Sequence, residues 1–185
     1  MKKCAAVLLL LLLTGCSRPP EAMERGMELR SKLLQSSACS FAANITADYG
    51  NQLQQFSMEC ESDTKGDLKF TVTKPESIAG ISGRLTGAGG TLTFDNTALA
   101  FDLIAEEQLS PVSAPWILIK TLRSGNLTSA CEEDGSIRLS VDDSYEDDPL
   151  RLDIWLNPET HPDRADILYD GRRILSVALE NFEIA

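Results

Sequence analysis

Residues 38–73 read ACSFAANITADYGNQLQQFSMECESDTKGDLKFTVT, and their period decides the fold. Cys39, Phe41, Ala43, Ile45 and Ala47 recur at every second position, with Ser40, Asn44, Thr46 and Asp48 mostly between them. That alternation is the mark of a strand with one face in a core and one in water. The turn Asp48-Tyr49-Gly50-Asn51 leads into a second strand carrying Leu53, Phe56, Met58 and Cys60. Thr64-Lys65-Gly66-Asp67 turns the chain again, and Leu68, Phe70 and Val72 then alternate with Lys69, Thr71 and Thr73 in a third. Folding the first hairpin about Tyr49-Gly50 pairs Asp48 with Asn51 and, nine steps outward, Cys39 with Cys60. Opposed residues at a non-hydrogen-bonded site have Cα atoms about 4.5 Å apart, which a disulfide spans. A Cys39–Cys60 bridge is therefore expected, stabilising by about 2–4 kcal/mol. The alternative is two small core residues in a reduced protein, and Cys131 is odd in either case.

Further along, strands are expected around Ile81–Thr86, Thr91–Asp95, Ala98–Ile104, Leu127–Glu132, Ile137–Val141, Leu150–Leu156, Ala165–Tyr169 and Arg172–Ile184. Gly87-Ala88-Gly89-Gly90, Asp95-Asn96 and Asp170-Gly171 supply turns. Two segments break the period of two. Over Glu21–Ser37 the residues Met23, Gly26, Met27, Arg30, Leu33 and Leu34 fall three and four apart, an amphipathic helix with Pro20 ahead of it. Between Ser110 and Gly125, the apolar Trp116, Ile117, Leu118, Ile119 and Leu122 suit a short buried helix capped by Ser113, with Pro115 in its first turn and Gly125 at its end. About eleven strands with two helices make an α+β fold, a curved antiparallel half-barrel carrying an N-terminal helix and an inserted lid helix. So few helices cover only one face.

The N-terminus carries an address. Lys2 and Lys3 precede an apolar run from Ala5 to Leu13 that ends in Leu13-Thr14-Gly15-Cys16. The run falls short of the ~20 apolar residues that cross a hydrocarbon core, and it has the layout of a secretory signal. The last four residues resemble the bacterial lipobox, Leu-x-Gly-Cys, which implies lipidation of Cys16 and cleavage before it. Residues 1–15 are thus read as signal peptide, 16–20 as a lipidated tether and 21–185 as one domain, lipid-anchored on the extracytoplasmic side of a cell membrane. Ser17 permits the outer membrane in a Gram-negative host. Each buried methylene of the lipid contributes about 0.8 kcal/mol.

Composition narrows the function. The net charge is −11, and the leader holds Lys2 and Lys3, so the mature chain is near −13 and repels nucleic acid. His161 is the only histidine, lies between two prolines in Asn157-Pro158-Glu159-Thr160-His161-Pro162, and has no nucleophile motif beside it. No catalytic residue, metal ligand set or cofactor is expected. The acidic run Asp142-Asp143-Ser144-Tyr145-Glu146-Asp147-Asp148 crowds the hard oxygen ligands that calcium prefers, but it departs from EF-hand spacing and reads first as a solvated loop.

The strand count and helix placement, together with the runs Ser110-Pro111-Val112-Ser113-Ala114-Pro115-Trp116 and Pro75-Glu76-Ser77-Ile78-Ala79-Gly80-Ile81, resemble the LolA/LolB-like superfamily of lipoprotein carriers, which includes LppX- and RseB-like proteins. The two runs resemble segments of Firmicute lipoproteins of that group. The resemblance implies an acyl or lipid-like ligand held between sheet and lid, by a carrier or sensor. The expected lining is Phe41, Ile45, Phe56, Met58, Phe70, Phe94, Trp116, Leu118, Ile119 and Leu122, with Val72 and Phe101 on the same stripe. Cavity walls and cores share a composition, and on pattern alone these residues read first as a closed core; the resemblance brings the ligand cavity level with it. A structural or interaction lipoprotein, with another envelope protein as its partner, is then the alternative. No residue here matches the arginine that governs the lid of the periplasmic carrier.

Overall fold

The structure, a computed structural model, describes residues 21–86, 93–94, 109–145 and 148–185. The signal segment, Cys16 and its tether, the expected strand Ala98–Ile104, Phe101, and the side chain of Phe94 lie outside the described residues.

Two helices and ten strands follow in chain order: α1 (Glu21–Gln35), β1 (Ala38–Asp48), β2 (Leu53–Asp63), β3 (Leu68–Lys74), β4 (Ser82–Leu85), β5 (Thr93–Phe94), α2 (Ala114–Ser124), β6 (Asn126–Glu133), β7 (Ser136–Asp142), β8 (Arg151–Leu156), β9 (Pro162–Tyr169) and β10 (Arg172–Ile184). The strands form one sheet ordered β5-β4-β3-β2-β1-β10-β9-β8-β7-β6, with every pairing antiparallel. Nine strands of four residues or more are described, beside the two-residue β5, in place of the expected eleven. Among the described residues the ends of the sheet, β5 and β6, do not meet, so the described sheet is open.

The expected faces hold where the period of two is unbroken. Cys39, Phe41, Ala43, Ile45 and Ala47 are buried on β1, and Phe56, Met58, Cys60 and Ser62 on β2. Leu53 does not share that face. It stands an odd number of residues from Phe56 and is 67% exposed.

The register of this hairpin corrects the expected one. Asp48 pairs with Leu53, leaving a four-residue loop in which Tyr49 N donates to Gln52 O (3.0 Å) and Gly50 N to Asp48 Oδ1 (2.7 Å). Gly50 sits at φ +84°, where a side chain would be strained. Cys39 consequently faces Ser62, and Cys60 faces Phe41. A slip of two positions preserves every face and changes every partner. The two cysteines are diagonal neighbours, a relation that sets Cα atoms about 7–8 Å apart, beyond what a disulfide spans without backbone movement. Both are free thiols.

α1 also packs with a face other than the expected one. Ala22, Gly26, Leu29 and Leu33 are buried, whereas Met27 and Leu34 are about half exposed. Gly26 lets the helix lie close on β7, since a Cβ there would stand 2.9 Å from Leu139 Cδ2.

α2 begins after a 3-10 turn, Pro111–Ser113. Ser113 directs its hydroxyl back to Ser110 O (2.6 Å) and does not cap the helix. Gly125 ends α2 in an extended conformation, and glycine is required there because a Cβ would lie 2.7 Å from both Asp142 O and Thr121 O. Two backbone carbonyls cannot step aside as a side chain can. Gly125→Ala is therefore expected to destabilise by about 1–3 kcal/mol, the usual cost of overpacking, read as a lowered midpoint in urea.

Candidate functional site: the apolar interior and its helical cover

α2 lies inside the sheet. It touches β2, β10 and β7, while α1 covers β6 and β7 and packs against α2. β2 and β7 are five steps apart in the strand order, about 24 Å along a flat sheet at ~4.8 Å per step. An eleven-residue helix is only about 16 Å long, so the sheet meets it by bending toward it.

The expected ligand residues converge here. Phe41, Ile45, Phe56, Met58 and Phe70 from the sheet, and Leu118, Ile119 and Leu122 from α2, belong to one continuous buried cluster, each at most 4% exposed. Trp116 is half-buried at its margin. Phe94 is placed by backbone alone, on β5 opposite Gly83. Phe41 stacks on Phe182 at 5.5 Å between ring centroids, and His161 lies 6.2 Å from the same Phe182 ring. Phe182 also floors a cleft of about 720 Å³ between the end of α1 and the end of β10, with Lys32, Gln35, Ser36 and His161 around it. One aromatic step thus links this outer cleft to the interior.

Two arginines fasten the cover, and the sequence reading missed both roles. Arg30 of α1 donates from Nε to Leu122 O of α2 (2.8 Å) and from Nη2 to Thr121 O (3.4 Å). Arg123 of α2 donates from Nη1 to Leu33 O of α1 (2.7 Å) and from Nη2 to Thr64 O in the β2–β3 turn (2.6 Å). Each helix therefore supplies the guanidinium that occupies the last-turn carbonyls of the other, at the negative end of its dipole. Burial lowers the pKa of Arg30 from its usual value. Lys120 adds a 3.5 Å ion pair with Asp143, whose other oxygen accepts from Leu150 N (2.9 Å). This part of the acidic run closes a loop and tethers α2.

Two hydroxyls are buried inside the cluster: Thr121 Oγ1 has no hydrogen-bond partner among the described residues, and Ser62 Oγ has only the Cys39 thiol opposite it, too poorly aligned for a regular hydrogen bond. Such groups are uncommon in a settled core. Burial pushes the Cys39 thiol up to about 11, an effect partly offset by the nearby Arg123 charge, and burial raises Cys60 still further. Below the unfolded thiol pKa of about 8.5 both states carry neutral thiols, and stability is full. As pH climbs past that value, only the unfolded thiols ionise, so stability falls until the folded thiols ionise too. In Cys131→Ser protein beginning at Ser17, which retains only Cys39 and Cys60, a thiol reagent under denaturing, non-reducing conditions is expected to find two thiols. A count of zero would restore the Cys39–Cys60 bridge.

Among the described residues, no three His, Cys, Asp or Glu side chains converge as a metal site, and no helix is long and apolar enough to cross a membrane. His161 is held by its loop, where Asn157 Oδ1 accepts from the backbone N–H of both Glu159 and His161 at 3.0 Å.

No family model matches this sequence, and no curated protein matches it. Solved structures do. Its structural neighbours include LolA-superfamily and lipoprotein-sorting chains. A LolA superfamily protein from Nitrosomonas europaea is 8% identical over 86% of this chain and 93% of its own, with a TM-score of 0.42. The Mycobacterium tuberculosis lipoprotein LppX is 10% identical over 87% of this chain and 92% of its own, with a TM-score of 0.39. The Pseudomonas aeruginosa MucA/MucB complex matches at 10% identity and a TM-score of 0.40 over 90% of this chain, which spans 58% of the matched one. The finer resemblance to Firmicute lipoproteins is not among these likenesses. At such identities and scores they carry no inference about ligands, and the functional reading rests on the chain itself.

Proposed function

We propose that this chain is an extracytoplasmic lipoprotein, anchored through Cys16, whose half-barrel takes an acyl or lipid-like ligand beneath α2 as a carrier or sensor, without catalysis. The observation that carries the reading is how α2 is attached. Its inward surface is apolar apart from the Thr121 hydroxyl and carries no charge, whereas its fastenings are charged hydrogen bonds at the rim. A helix so mounted can be released at the rim without stranding a charge inside.

The magnitudes allow an exchange. Burying Ile117, Leu118, Ile119 and Leu122 contributes about 6–12 kcal/mol at 1.5–3 kcal/mol per side chain, and an acyl chain of about sixteen carbons gains about 12 kcal/mol at ~0.8 kcal/mol per methylene. A ligand can thus replace the contacts that α2 gives up. Thr121 Oγ1 offers the incoming molecule an unsatisfied polar atom, and the cleft over Phe182 offers a way in.

The near-complete burial of the lining favours a second reading, a closed core in an interaction lipoprotein. Mass spectrometry of lipid extracted from membrane-purified protein separates the two. The carrier reading expects a non-covalent lipid at near-equimolar ratio, and its absence leaves the interaction module. The anchor is tested by itself. An acylated N-terminal peptide beginning at Cys16 is expected, and Cys16→Ala should abolish it. Unchanged membrane partitioning of Cys16→Ala would remove the anchor from the account.

A further inference from the structure

We propose that β6 is a pairing edge for a second copy of this chain, joined antiparallel about a two-fold axis at Cys131. β6 closes the sheet order and pairs only with β7 among the described residues, so alternate backbone groups along it face away from the sheet. The β6–β7 hairpin decides which ones. Glu133 pairs with Ser136 across a two-residue turn, Asp134 at φ +51° and Gly135 at φ +80°, the type I′ pattern. The closing pair of such a turn is hydrogen-bonded, and the bonding alternates outward. Glu133, Cys131 and Ser129 therefore spend their backbone groups on Ser136, Arg138 and Ser140, while Ala130 and Glu132 present theirs to the open side. Past Ser129 the register slips, and such a bulge ends regular pairing. The regular stretch is Ser129–Glu133, with exposed Cys131 at its centre.

A second copy fits this edge by its own sequence. With the axis at Cys131, Ala130 exchanges backbone hydrogen bonds with Glu132 of the other copy, Ser129 faces Glu133, and Cys131 faces Cys131. No acidic residue opposes another, and Glu133 is already neutralised by Arg138 at 3.2 Å. An axis at Glu132 would set two glutamates together, and an axis at Ala130 would run into the bulge. Cys131 occupies a non-hydrogen-bonded pair, where Cα atoms lie about 4.5 Å apart, within disulfide range. A small-molecule disulfide can close the bond. One Cys131 thiolate displaces a thiol from it, the other Cys131 thiolate displaces the second, and the two protons pass to the departing thiols.

The test uses the mature lipidated chain in its own membrane, treated with oxidised glutathione and run on a non-reducing gel. A dithiothreitol-sensitive dimer is expected, absent in Cys131→Ser. With Cys131→Ser in place, Thr128→Cys should cross-link at least tenfold more slowly, because its copies stand about 20 Å apart along the pair at ~3.4 Å per residue. Ala130→Pro keeps the β7 pairing, since the lost N–H faces outward, and should reduce the Cys131 dimer by a similar factor. No wild-type dimer, or a Thr128→Cys dimer forming as fast as the Cys131 dimer, overturns the proposal. If Ala130→Pro fails to fold, the Thr128→Cys comparison decides alone.

Discussion

Leu118→Asp is expected to abolish folding of the domain. Leu118 is 0% exposed and faces the sheet at the middle of α2. Truncating such a leucine to alanine costs about 2–5 kcal/mol, through the lost transfer energy and the cavity left behind. An unpaired carboxylate at the same place adds a desolvation penalty of several kcal/mol. Domains of this size hold about 5–15 kcal/mol in all, so the aspartate consumes most or all of it. Leu118→Ala is the graded form, expected to fold with a midpoint lowered by the smaller amount. If Leu118→Asp keeps the wild-type melting temperature in circular dichroism, the helix is not packed as described.

The second large effect is expected from Arg123→Ala. Hydrogen bonds to a charged group contribute about 1.5–3 kcal/mol each when buried, and Arg123 makes two, one of them exposed and discounted for solvent. The loss should be about 2 kcal/mol, concentrated on α2. Hydrogen exchange over 114–124 should quicken about tenfold or more, with little change over β8–β10. Ligand uptake should accelerate, since the same bonds hold the cover shut. Uniform destabilisation without selective exchange in α2 would make Arg123 a general stabiliser instead of a clasp. Arg30→Ala should behave alike from the opposite side of the joint.

These two arginines also mark where sequence reasoning stops. Basic residues near a helix end are ordinarily solvated, and nothing in the spacing of Arg30 or Arg123 shows that a second helix will bring its carbonyls to them. The strand faces were legible because they follow from the period of two alone, which survives any loop length. Register was not, since Asp48-Tyr49-Gly50-Asn51 allows a two- or a four-residue loop, and only tertiary packing chooses the latter. The Asp170-Gly171 turn, by contrast, was readable. Its left-handed backbone, φ +48° and +71°, is what that dipeptide favours. α1 misled for another reason. Met27 and Leu34 lie beside the true contact stripe of Ala22, Gly26, Leu29 and Leu33, and large apolar residues outweigh Ala and Gly when a face is counted. Phe41, Ile45, Phe56, Met58, Phe70, Leu118, Ile119 and Leu122 were legible as buried apolar positions, but a cavity wall and a core ask for the same side chains, so the sequence could not say which of the two they form.

The chain beginning at Ser17 contains every described element, and titrating it with an environment-sensitive fatty-acid fluorophore tests the central claim. The account predicts saturable one-to-one binding, displaced by unlabelled fatty acid and reached several-fold faster in Arg123→Ala than in wild type. Fluorescence that never departs from the buffer baseline, in wild type and Arg123→Ala alike, would contradict it.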